Sequence, residues 1–158
     1  MAHTLNPYLT FRGTAREALD AYRGVLGGEL DLMTFAEGGM PVEVAEEADW
    51  LMHGQLTLPD GKVLMASDAP TGVPAPPMAG FAVALTTADA DEVDTVLGWY
   101  RRLAEGGRED VPLAVAPWGD WFGQCTDRFG TPWMVDAGPV DAQERPAERE
   151  PAQSAATP

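Results

Sequence analysis

The chain has 158 residues, 45% of them hydrophobic, with a formal net charge of −15 and an isoelectric point near 4.2. That length suits one domain or two small modules sharing a core, and the acidic excess, unbroken by any Lys/Arg cluster, excludes nucleic-acid backbones and anionic membrane surfaces as natural partners. No segment has the length and apolarity of a membrane span, the N-terminal run MAHTLNPYLTF lacks a basic leader, and the single cysteine, Cys125, excludes an intrachain disulfide, so a cytoplasmic protein is expected.

In chain order, Leu5–Phe11 reads as a strand opened by Pro7. Thr14 offers a helix N-cap with Glu17 three residues on, a capping-box pattern. Ala15–Leu26 follows as a helix, with Ala18, Leu19, Tyr22, Val25 and Leu26 on one stripe and Gly27-Gly28 ending it. Glu29–Phe35 alternates as a strand. Glu37–Asp49 is an acidic loop with room for one helical turn near Val44–Ala48. Trp50–Leu58 and Lys62–Ser67 form two strands around Pro59-Asp60-Gly61, a strong turn signal.

Residues 68–79 hold four prolines and read as an extended, weakly structured linker. The order then repeats. Phe81–Thr86 is a strand, and Asp89 begins a helix through Val93, Val96, Leu97, Tyr100 and Leu103 that ends at Gly106-Gly107. Val111–Ala116 is a strand, Phe122–Thr126 and Pro132–Asp136 two more. Each half is therefore a βαβββ module, the first over residues 1–67 and the second over 80–137. One four-stranded module with one helix buries little, so two are expected to share a core. The tail 138–158 is rich in Pro, Ala, Glu and Gln and reads as disordered.

Two such modules, with a closing run WGDWFGQCTDRFGTPWMV (118–135), resemble the vicinal oxygen chelate superfamily of glyoxalase I, bleomycin-resistance proteins and extradiol dioxygenases. PYLTFRGTAREALDAYRGVLGG (7–28) and WLMHGQLTLPDGKVLMASDAP (50–70) place the likeness in its PhnB-like branch. The resemblance implies an α+β fold in which tandem βαβββ modules form a curved eight-stranded mixed sheet, with a concave cup and the helices on the outer face. Some members of that branch carry a ubiquinone methyltransferase name; no Gly-rich nucleotide loop after a first strand supports that activity in this chain.

Metalloenzymes of the superfamily hold a divalent ion with His or Glu from the first and last strands of each module. The matching positions here are Asn6 or Pro7, Leu64 or Met65, Phe81, and Met134. None is His or Glu, so no metal or other cofactor is expected. What the resemblance then implies is a small-molecule-binding protein of the bleomycin-resistance type. Met65, Phe81 and Met134 would line the cup, His53 and Gln55 would serve as polar anchors, and Trp118 and Trp121 would stand at the rim. His53 belongs to the alternating set Leu51, His53, Gln55, Thr57, read as facing the cup, while Met52, Gly54, Leu56 and Leu58 face the helix. The alternative is a metal-dependent lyase or dioxygenase with displaced ligands, His53 among them. A homodimer is expected because the superfamily builds cups at module or subunit interfaces. Cys125 lacks a basic neighbour, and no nucleophilic role is assigned to it.

Overall fold

A computed structural model describes residues 3–140. Twelve elements follow in the expected order. The first module contains β1 (Tyr8–Phe11), α1 (Ala15–Leu26), β2 (Glu29–Thr34), β3 (Leu51–Thr57) and β4 (Val63–Asp68), with a 3-10 turn at Ala45–Asp49. The second contains β5 (Val83–Thr87), a 3-10 turn at Ala90–Glu92, α2 (Val93–Ala104), β6 (Arg108–Val115), β7 (Trp121–Thr126) and β8 (Pro132–Ala137).

The fold is α+β, built of two tandem βαβββ modules. Its eight strands hydrogen-bond as two sheets of four, ordered β1-β4-β3-β2 and β5-β8-β7-β6. In each sheet the first strand pairs parallel to the last and the other neighbours run antiparallel. The parallel pair is possible because the helix and two strands intervene as the crossover.

The helices cover one face of each sheet, α1 packing on β2, β3 and β4, and α2 on β5 and β8. Leu9, Phe11, Leu56, Leu64 and Ala66 of the first sheet face the helices, as do Cys125, Trp133, Val135 and Ala137 of the second. They join Leu19, Tyr22, Val96, Leu97 and Tyr100 in one core. The alternation that buries these residues leaves the opposite set of side chains on an open face of each sheet.

The two Gly-Gly pairs do the same job. Gly27 has φ +77° and Gly106 φ +73°, so each turns the chain out of its helix. Gly28 and Gly107 then lie flat on the Thr57 and Thr126 carbonyls, inside the distance any Cβ would need.

Several boundaries differ from the sequence reading. β1 is shorter, because Pro7 has no N–H to donate; its carbonyl still accepts from Met65 N at 3.1 Å, while Leu5 is fully exposed. Thr14 makes no side-chain cap. Buried Asp68 replaces it, accepting from Ala15 N at 3.0 Å through Oδ1 and from Leu51 N at 3.0 Å through Oδ2. Asp68, read as the first linker residue, is thus the last residue of β4. The segment after it is fixed where it leaves the sheet: Ala69 is buried, and Glu47 accepts from Thr71 N at 2.9 Å and from its hydroxyl at 2.7 Å. β5 starts two residues later than read and β6 three earlier. Leu51 is fully buried although alternation put it with His53, because the β2–β3 register shifts between Met33 and Thr34. Of the tail, residues 141–158 lie outside the described residues. Gly138 donates its N–H to Thr87 O at 3.1 Å and Val140 is buried, so the ordered chain runs past the boundary read at 137.

The open sheet faces as candidate functional site

On the first open face, cross-strand register aligns Tyr8, Met65, Gln55 and Asp31 in one row across β1, β4, β3 and β2. His53 stands one position along β3, opposite Met33. The Tyr8 hydroxyl lies 3.2 Å from His53 Nδ1, and the rings approach at 5.8 Å. A tyrosine partner at Nδ1 leaves Nε2 free for a ligand. Gln55 Nε2 donates to Thr57 Oγ1 at 3.1 Å, which leaves its carbonyl oxygen free. Tyr8 and Met33 are 49% and 44% exposed, an unusual amount of ring and thioether surface to leave in water.

The second open face repeats the pattern. Ala84, Met134, Gln124 and Val111 form the matching row. Gln124 faces Met134 across the β7–β8 ladder as Gln55 faces Met65 across β3–β4. Next along, Thr86, Asp136, Phe122 and Ala114 align, so Phe122 stands where the first module has His53. Trp118, in the turn before β7, meets Phe122 edge to face at 5.4 Å. At the far end, Asp110 accepts from Arg108 Nε at 2.6 Å and from the Thr126 hydroxyl at 2.6 Å. The Thr126 hydroxyl, and then Arg108, hold its carboxyl below the usual range.

The structure therefore gathers His53, Gln55 and Met65 on one open face and Met134 and Trp118 on the other. Phe81 and Trp121 do not join them. Phe81 precedes β5, is 46% exposed and has no place in the ladder. Trp121 shares the core-side set with Gly123 and Cys125 and packs against the core. Tyr8, Asp31, Phe122 and Gln124 are not singled out from the sequence. The signal for Gln124 was present: Gln55 and Met65 are spaced as Gln124 and Met134 are.

These donors do not suit a divalent ion of the kind the fold's metalloenzymes hold. The first face offers one imidazole, the Asp31 carboxylate, an amide and thioethers, and the second the Asp136 carboxylate, an amide and a thioether, a poor set on either, and among the described residues no three His, Cys, Asp or Glu side chains converge. Two clefts lie elsewhere. One of about 200 Å³ sits between α1, α2 and the β7–β8 turn, the other of about 380 Å³ between β1 and Ala75–Met78. Neither is lined by His53, Gln55, Met65 or Met134. No helix among the described residues is long and apolar enough to cross a membrane.

Two modules of this topology, each with one open sheet face, define a glyoxalase-type fold. Residues 4–135 match the family model for the glyoxalase/bleomycin resistance protein/dioxygenase superfamily, and the chain belongs to that superfamily. It is 28% identical over 143 residues to protein YjdN of Escherichia coli (strain K12), covering 84% of this chain and 93% of that protein. The crystal structure of PA1353 from Pseudomonas aeruginosa is similar at 34% identity and a TM-score of 0.73, over 86% of this chain and 98% of that one. A PhnB protein from Bacillus cereus shares the fold at 22% identity and a TM-score of 0.61, over 86% of this chain and all of that one.

Proposed function

We propose that this protein binds a small organic molecule on its open sheet faces, without a resident metal, in the manner of the non-enzymatic resistance-type members of its superfamily. The observation that carries the reading is the repeated arrangement of one amide and one thioether, Gln55 with Met65 and Gln124 with Met134, among exposed aromatic rings. Thioethers adapt to irregular apolar ligands, and isolated polar groups fix orientation. Tyr8 and His53 add a hydroxyl–imidazole pair as a directional anchor. The net charge of −15 favours a cationic or neutral ligand over an anion. Two copies pair so that open faces enclose the ligand, and the single buried Cys125 suits a reducing cytoplasm.

The test is a screen of neutral and cationic planar compounds by tryptophan fluorescence and thermal shift, repeated on His53→Ala and Gln55→Ala. A ligand whose affinity falls about tenfold in either variant supports the reading. A broad library that moves neither emission nor melting temperature, or ligands indifferent to both substitutions, refutes it. Elemental analysis separates the metal-dependent alternative: stoichiometric Mn, Fe, Co, Ni or Zn in purified protein would replace this proposal with that one. Sedimentation in solution checks the pairing of copies.

A further inference from the structure

The open face of the second module holds a corner whose chemistry is narrower than that of the face as a whole. Phe122 and Asp136 are direct cross-strand partners on β7 and β8, so both side chains rise from the same patch. Trp118 leans over them from the preceding turn. Its ring meets Phe122 at 5.4 Å and 72°, and its Nε1 lies 3.5 Å from Asp136 Oδ1. The turn itself is fixed, with Ala116 N donating to Asp120 O at 2.8 Å and Gly119 N donating to Ala116 O at 2.9 Å. Trp118 nevertheless remains 59% exposed, the most exposed aromatic ring among the described residues. An indole held in place by a structured turn yet left in water is poised for a partner.

The exposed Trp118 ring carries a negative quadrupole on its face, and the Asp136 carboxylate beside it supplies a full charge. The basic side chain of this face, Arg108, is engaged by Asp110 at the opposite end of the strands. We propose that Trp118, Phe122 and Asp136 form a recognition site for a methylated ammonium group. The proposal rests on the open faces being ligand surfaces and assigns the cation to the second of them. A quaternary or tertiary ammonium fits better than a primary one, because its methyl groups shed water readily against indole and phenyl while the charge stays near the carboxylate. The first face has Tyr8 and His53 at its corresponding end instead. The two faces of one chain thus offer different chemistries, hydrogen bonding on the first and cation capture on the second.

The probe pair is choline and its neutral isostere 3,3-dimethylbutan-1-ol, followed through the indole N–H resonance of Trp118, identified by its loss in Trp118→Phe. Choline should move that resonance saturably and bind about tenfold more tightly than the alcohol. Asp136→Asn should weaken choline about fivefold and leave the alcohol unchanged, and Trp118→Ala should abolish the preference. Equal responses to the two probes, or a choline affinity unaltered by Asp136→Asn, overturn the assignment. If neutral compounds bind at His53 and Gln55 while choline leaves Trp118 unmoved, this inference falls and the broader reading stands. If no compound perturbs either face, both fall.

Discussion

The Tyr22 hydroxyl, on α1 of the first module, donates to Asp127 Oδ2 in the β7–β8 turn of the second at 2.7 Å. Trp133 Nε1 donates to the same oxygen at 2.8 Å, and the Phe129 and Thr131 amides donate to Oδ1 at 2.8 and 2.9 Å. The buried carboxylate thus ends in four donors, with the Thr131 hydroxyl 2.9 Å from the tyrosine. Burial and the Asp127 charge push the Tyr22 phenol far above its usual range, so it stays protonated and gives its one proton to Asp127. Tyr100 holds the matching position in α2 and has no such partner among the described residues. The link is therefore a one-sided bolt between modules.

Tyr22→Phe removes one donor from a buried carboxylate and should cost about 2 kcal/mol of unfolding free energy. Asp127→Ala strands the indole N–H and two amides, and should cost about 4 kcal/mol. Urea unfolding measures both. A double-mutant cycle with coupling within about 0.3 kcal/mol of zero would show that the bolt does not act as a unit.

Gly28→Ala should be among the most damaging single-methyl additions, because the new Cβ meets the Thr57 carbonyl and the residue holds φ +98°. About 3 kcal/mol is expected from strain and overlap together. Gly107→Ala meets the Thr126 carbonyl in the same way and should cost about 2 kcal/mol from overlap. Gly61→Ala is the control, with φ +84° but open space around it, and should cost about 1 kcal/mol. Thermal unfolding that ranks Gly61 equal to Gly28 would contradict the close-approach argument.

The element order is legible in the sequence because local signals carry it. Gly27-Gly28 and Gly106-Gly107 stop helices, Pro59-Asp60-Gly61 turns a hairpin, and the apolar spacing of Leu19, Tyr22 and Leu26 is helical. The open-face positions of the candidate site are legible where alternation runs unbroken, as at Gln55, Met65 and Met134. Trp118 and Trp121 look alike in sequence, yet one lies in a turn over the open face and the other on the core side, and only the start of β7 separates them. The bulge beside Met33 changes the face of Leu51 without any local mark. Asp68 caps a helix 53 residues away, and Tyr22 and Asp127 meet across 105, distances at which pattern reading has no purchase.

Asp68 should prove more costly to replace than Thr14. Asp68→Ala leaves the Ala15 and Leu51 amides buried without acceptors, an expected loss of about 3 kcal/mol. Asp68→Asn keeps one acceptor oxygen and should lose about half of that. Thr14→Ala, which removes no side-chain cap, should stay within about 0.5 kcal/mol of the parent. Chemical denaturation of the three variants checks the order, and a Thr14 effect exceeding that of Asp68 would restore the capping box.

Cys125 supplies a pH prediction. The residue is 1% exposed, and its thiol is pushed up to about 11, chiefly by burial, with Asp127, Asp110 and Glu109 reinforcing the shift. The folded state therefore holds this proton more tightly than the unfolded chain, whose thiol ionises near 9. Its contribution to stability is full below pH 9 and is lost as pH rises from about 9 to about 11. The buried phenols of Tyr22 and Tyr100, also raised, act in the same direction at the upper end of that window. Stability measured by urea unfolding should fall across the window in the parent and fall less steeply in Cys125→Ala. Iodoacetamide should leave the folded thiol unmodified at pH 8 and react with it promptly in urea. Rapid alkylation of the native protein at pH 8, or identical pH slopes for parent and variant, would show that the thiol is not held in the buried, protonated form the fold imposes.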